Sequence, residues 1–208
     1  MSKNTGDCCP PQSTSNPSKP NVPHPVSDPT GYEYKGKFES VGEYEKVYVT
    51  GPDDAKHALV VIYDIFGFWD TTIRSDRRMD EAYRGRAKLD DRLPEVLNFA
   101  KSLKKDHGIN RVSILGYCWG GKLALLSLTS GTPFCCGAVI HPAMIAPEDG
   151  ENLTVPFGFY PSMSDYHLYN TVHHGWAAAR ADLKDPENLK QYEDVYQRTA
   201  DYFAKVKC

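Results

Sequence analysis

Ser113-Ile114-Leu115-Gly116-Tyr117-Cys118-Trp119-Gly120-Gly121-Lys122 is the stretch that decides the fold. The apolar run Arg111 to Leu115 predicts a buried strand, and Lys122 to Thr129 predicts a helix. Between them stands Gly-x-Cys-x-Gly. In that setting the pattern is the cysteine form of a nucleophile elbow. The sharp turn leaves no room for side chains two positions either side of the nucleophile, and Gly116 and Gly120 satisfy that need. A helix beginning just after Cys118 presents its N–H groups and dipole to the sulfur and favours the thiolate. The backbone N–H of Trp119 is placed to face a developing oxyanion.

Outward from the elbow, strand and helix signals alternate. Residues 43–49 predict a strand, with Tyr44, Lys46 and Tyr48 on one face and Val47 and Val49 on the other. The run Ala58 to Tyr63 is continuously apolar and β-branched, which predicts a central parallel strand buried on both faces. Residues 92–105 carry Leu93, Val96, Leu97, Ala100 and Leu103 at helical spacing, with Pro94 expected in the first turn. Gly137 to His141 and Val155 to Tyr160 are further strand candidates. A last helix is predicted from Asp185 as N-cap and Pro186 at the first helical position. The alternation predicts an α/β fold, mostly parallel sheet with flanking helices. Residues 70–91 do not fit it: six basic and six acidic residues occur there without a strand-like run.

With 208 residues, 40% hydrophobic and 25% charged, the chain has the size and apolar content of one folded domain. Residues 1–30 are rich in Pro and Ser and predict an irregular lead-in; residues 31–208 form the expected domain. A formal net charge of -3 without a basic block argues against a nucleic-acid partner. No apolar run reaches the roughly 20 residues of a membrane span. The first 30 residues lack the apolar core of a secretory signal, so a cytoplasmic location is expected. Six cysteines occur without a CxxC spacing, and neither a metal nor a cofactor is expected. Only Cys118 stands in a setting that points to chemistry.

Two further segments bear on the site. Tyr63-Asp64-Ile65-Phe66-Gly67-Phe68 lies where the strand at 58–63 ends, the side on which open α/β sheets bind ligands. Val172-His173-His174-Gly175-Trp176 supplies the candidate base, because triad hydrolases of this architecture place the histidine last in the chain. His167, His173 and His141 are rival bases, and His174 leads on order and context.

Taken together, these pieces resemble the dienelactone hydrolase (carboxymethylenebutenolidase) family, in particular its fungal members. The matching pieces are Cys8-Cys9, His24-Pro25, Tyr48-Val49-Thr50-Gly51, Tyr63 to Gly67, Gly116 to Lys122, His141-Pro142-Ala143-Met144, and His174-Gly175-Trp176 through Ala179-Arg180. The resemblance implies an α/β-hydrolase fold and a Cys–His–Asp triad that cleaves a carboxylic ester or lactone through a thioester. It implies Cys118 as nucleophile, His174 as base and Asp165 as the triad acid. Ile65 and Trp119 would lend oxyanion N–H groups, and Asp64 would control the protonation of the nucleophile. The partner would be a small-molecule ester or lactone.

The chain is shorter than that family between Gly67 and the helix before the elbow. It is shorter again between Asp165 and His174, nine positions apart. A helix plus a strand needs about 15 residues or more. Either Asp165 is not the counterpart of the family's acid, or the sheet is one or two strands short. Such shortening also fits a binding or scaffold protein that has lost catalysis; a redox-sensing thiol protein using Cys118 as a low-pKa thiolate is a second alternative.

Overall fold

A computed structural model of the chain describes residues 36–65, 88–162 and 169–206. The lead-in at 1–30, most of the charged stretch at 70–91, and Asp165 and His167 lie outside the described residues. The described elements are β1 (Lys37–Val41), β2 (Tyr44–Val49), β3 (His57–Ile62), α1 (Leu89–Asp106), β4 (Arg111–Tyr117), α2 (Trp119–Leu126), β5 (Cys136–Ile140), α3 (Glu148–Glu151), β6 (Phe157–Tyr160) and α4 (Pro186–Lys205). β1 and β2 form an antiparallel hairpin, tied to α1 by an edge-to-face contact of Tyr44 and Phe99 at 5.1 Å. The other four strands form one parallel sheet in the order β3-β4-β5-β6. With helices on its faces and an elbow between β4 and α2, this is an α/β-hydrolase fold.

Two apolar layers hold the sheet. On one face, Val112, Ile114 and Val139 pack with Ala100 of α1 and with Ala124 and Leu128 of α2 and the turn after it. On the other, Leu115, Tyr117, Ala138 and Ile140 pack with Val195 of α4 and with Tyr169, Val172 and Trp176. Tyr117 adds a polar clasp: its hydroxyl donates to that of Tyr196, which donates to the Ala177 carbonyl at 3.0 Å. α4 begins as its sequence dictates, with the Asp185 carboxylate accepting the N–H of Glu187 and Pro186 at its start.

The structure corrects three expectations. β3 is not buried on both faces: Leu59 and Val61 are 46% and 36% exposed, alternating with half-buried Ala58, Val60 and Ile62. Among the described residues β3 pairs with β4 alone, which makes it the edge of the described sheet. Its unbroken apolar run cannot be told by eye from that of the central strands β4 and β5. α1 starts at Leu89, three residues earlier than predicted, so Pro94 falls in the second turn and forgoes the bond to the Asp90 carbonyl. The helix continues past it. Finally, α2 starts at Trp119, ahead of the predicted Lys122, so Gly120 and Gly121 belong to the helix.

The last correction explains how the elbow is seated. A β-carbon on Gly116 would lie 2.2 Å from the Gly120 carbonyl oxygen. One on Gly120 would lie 2.4 Å from the carbonyl oxygens of both Ile62 and Tyr63. These neighbours are backbone and cannot swing aside. The first turn of α2 is therefore wedged between the ends of β3 and β4, and only glycine fits. Gly116→Ala and Gly120→Ala are each expected to destabilise the fold by about 2–4 kcal/mol. Gly150→Ala in α3, where a β-carbon would meet nothing within 4 Å, should be neutral or stabilise by up to about 1 kcal/mol. Urea denaturation of the three variants measures the contrast; equal midpoints would refute the packing argument.

Candidate active site

Cys118 sits at the junction of β4 and α2 with φ 51° and ψ -117°. A non-glycine residue held at positive φ is strained by about 1–3 kcal/mol and persists only where its surroundings impose it. Here the surroundings are visible. The Cys118 N–H donates to the Ile140 carbonyl at 3.3 Å, and the Cys118 carbonyl accepts the N–H groups of Gly121 and Ala143, each at 3.0 Å. The thiol is buried, and α2 opens directly after it with no acidic side chain in its first turn to oppose a thiolate.

Trp119 is the first residue of α2, and its N–H is among those the helix leaves unbonded by its own ladder. Ile65 lies just past β3, half-buried. The close approach of Ile62 and Tyr63 to Gly120 brings the end of β3 beside the elbow, and the stacked rings of Tyr63 and Tyr117, 6.0 Å apart, hold it there. Asp64 is buried and accepts the N–H of Ala179 at 3.4 Å, which links the β3 end to the segment carrying His174.

That segment turns at Gly175 and places His174 half-buried, with its ring centroid 5.0 Å from that of His141 in an edge-to-face pose. Burial pulls the His174 imidazole below its ordinary range, and the neighbouring charges of Arg180 and His173 add to this. His174 thus carries a neutral imidazole at neutral pH. His173 instead is exposed, with Nε2 against the Arg180 carbonyl at 3.2 Å.

His141 is the residue that sequence reasoning left as a mere rival. It is 0% exposed, and its φ of 37° is again positive. Burial, then the proximity of His174, hold it down to about 3. Neither of its ring nitrogens has a hydrogen-bond partner among the described residues, nor does Nε2 of His174. The only hint in the sequence was its place at the end of a strand, in the pair His141-Pro142.

Cys118, Trp119, Asp64, Ile65 and His174 thus gather at the carboxyl ends of β3, β4 and β5. A part-buried ion pair between Lys122 and Asp149 ties α2 to α3, with the Asp149 carboxylate also accepting the N–H of Ala146 at 2.7 Å. Asp165 lies outside the described residues. Among those described, no three His, Cys, Asp or Glu side chains are grouped to hold a metal ion, and no helix is long and apolar enough to cross a membrane.

Comparison with known proteins matches residues 75–156 to the dienelactone hydrolase family. Two uncharacterized AIM2 family proteins of Schizosaccharomyces pombe are similar to the chain. One is 24% identical over 256 residues, covering 96% of this chain and 99% of its own. That span exceeds the 208 residues present, so the alignment places gaps in this chain. The other is 26% identical over 136 residues, 54% of each. Among solved structures, a dienelactone hydrolase-like promiscuous phosphotriesterase from metagenomic libraries aligns with TM-score 0.47 and 13% identity, covering 73% of this chain and 87% of its own. Thermogutta terrifontis esterase 2 aligns with TM-score 0.48 and 12% identity over 80% and 94%. The matched span contains α1, β4, the elbow, α2, β5 and α3, so the likeness to the dienelactone hydrolase family lies in the part of the chain that carries Cys118.

Proposed function

We propose that the chain is a cysteine hydrolase of a small carboxylic ester or lactone, with Cys118 as nucleophile and His174 as base. The observation that carries this reading is the strained Cys118 between β4 and α2, held by backbone bonds on both sides. The family match supports a hydrolase; the cysteine mechanism rests on the geometry of this chain.

His174 takes the proton of the Cys118 thiol, and the thiolate attacks the substrate carbonyl, forming a C–S bond and moving the π electrons onto oxygen. The N–H groups of Ile65 and Trp119 stabilise that oxyanion. On collapse the C–O bond to the leaving group breaks, and the departing oxygen takes its proton from His174. His174 then removes a proton from water, whose oxygen attacks the thioester and releases the acid and the thiolate. Asp64 is assigned the control of the nucleophile's protonation that the resemblance implies. Asp165 fills the place of the triad acid that the resemblance implies. No cofactor is called for.

Turnover of 4-nitrophenyl acetate and of dienelactone by the purified chain is the direct test. Cys118→Ala should reduce kcat by about 10³-fold or more, as expected for a covalent nucleophile. Cys135 is also partly accessible, so iodoacetamide inactivation is read against this variant. A folded chain whose turnover is untouched by Cys118→Ala would refute the proposal. Because His174 is held below 6.5, it keeps its neutral form as pH falls past that value. The acid limb of kcat/KM should therefore fall below pH 6.5, and a limb at or above it would count against His174 as the base.

A further inference from the structure

We propose that Cys135 is a site of thiol–disulfide exchange with small-molecule disulfides, in which His57 takes the thiol proton through the hydroxyl of Ser113. The site lies at the amino ends of β3, β4 and β5. Ser113 precedes Cys118 along β4 by about 16 Å, at a strand rise of about 3.3 Å per residue. The proposal is independent of the hydrolase reading.

Three side chains converge on one buried hydroxyl. Ser113 is 0% exposed and pairs in register with Leu59 and Cys136. Its Oγ lies 2.7 Å from Nε2 of His57, 3.2 Å from Sγ of Cys136 and 3.6 Å from Sγ of Cys135. A single partner would satisfy a buried serine. Two thiols and an imidazole on the same oxygen make a path for a proton. A hydroxyl has one proton to give and two lone pairs to receive with. With its proton on Nε2 of His57, it accepts from both thiols. His57 is exposed, so the far end of the path opens to water. Arg111 is the register partner of His57 and precedes Ser113 on the same face, which adds a positive charge in favour of a thiolate.

The two thiols are unequal. Cys136 is 0% exposed within β5, where a thiol behaves as a small apolar group. Cys135 is partly accessible, and its N–H, donating to the Val112 carbonyl at 2.9 Å, holds it at the head of β5. Of the pair, only Cys135 can meet a reagent from solvent.

A thiol reacts as its thiolate. The Cys135 proton passes to Oγ of Ser113 as the Ser113 proton passes to Nε2 of His57. The thiolate attacks one sulfur of the disulfide. A new S–S bond forms, the old one breaks, and the leaving thiolate takes the proton from His57. Thiol and disulfide become mixed disulfide and thiol, with no net oxidation. Cys136 is not placed to displace the adduct. Neighbouring Cα atoms are about 3.8 Å apart, short of the roughly 4.4 Å or more that a disulfide spans. The adduct therefore persists until an external thiol removes it.

The test incubates the purified chain with glutathione disulfide at neutral pH and follows each cysteine by peptide mass spectrometry, with melting temperatures taken alongside. An ordinary thiol is only a few per cent thiolate at that pH, which leaves room for a gain of about tenfold. Cys135 should therefore react about tenfold faster in the folded chain than in the same chain unfolded in urea. Dithiothreitol should reverse the adduct. Cys135→Ser should abolish the adduct in this segment, and Cys136→Ser should keep it. His57→Gln can hold a hydrogen bond to Ser113 but takes no proton, so it should slow the reaction about tenfold at an unchanged melting temperature. Ser113→Ala should slow it equally; if that variant does not fold, His57→Gln decides, because His57 is exposed. A wild-type rate in folded His57→Gln or folded Ser113→Ala overturns the proposal. So does a Cys135 that reacts no faster in the folded chain than in urea.

Discussion

The carbonyl oxygens of Ile62 and Tyr63 lie so close to Gly120 that no β-carbon fits between them. That backbone approach fixes the first turn of α2 against the end of β3, and everything else in the site follows from it. It forces the chain to bend at Cys118, where β4 has no room to continue. It sets Trp119 at the head of the helix, on the same side as the residues that leave β3. Main-chain atoms make this contact on both sides, so it is hard to relax, and it is insensitive to which side chains surround it. A strained cysteine can be kept only in such a frame.

The second organising feature is the stacking of aromatic rings behind Cys118. Tyr117 contacts Tyr63, His141 and Tyr196 at centroid distances of 6.0, 5.8 and 6.4 Å. Burial pushes its hydroxyl well above the usual tyrosine range, so it remains a neutral hydrogen-bond donor. The residue before Cys118 thus joins β3, β5 and α4 in one packed unit. Histidine and tyrosine are suited to that place because each has a flat apolar body and a polar edge. The elbow, the His174 segment and the C-terminal helix are consequently parts of one packed core and not separate modules.

Much of this was legible in the sequence. The elbow could be read because its steric demand is local: two glycines flank one cysteine between a β run and a helix. The start of α4 could be read for the same reason, since Asp185 and Pro186 act on the turn that they begin. What could not be read depends on contacts far apart in the chain. The exposure of Leu59 and Val61 follows from what does or does not cover that face, and the composition of β3 is the same in either case. The burial of His141 needed β5, the 169–177 segment and α4 to come together. A single histidine before a proline gives no sign of that, which is why it was weighed only as one base among several.

Among the described residues β3 is the edge of the parallel sheet, which gives Trp119 and Ile65, the two proposed oxyanion donors, unequal support. Trp119 hangs from a helix rooted in β4, a strand bonded on both sides, whereas Ile65 hangs from a strand bonded on one side among the described residues. In a parallel ladder, alternate amides of an edge strand point away from their neighbour. Deuterium therefore enters the amides of β3 sooner than those of β4 and β5, since local opening begins where backbone bonds are fewest. A molecule that bridges both N–H groups ties the loosely held arm to the firm one. Its binding would be recorded first as slowed exchange in β3, a readout of occupancy that requires no turnover.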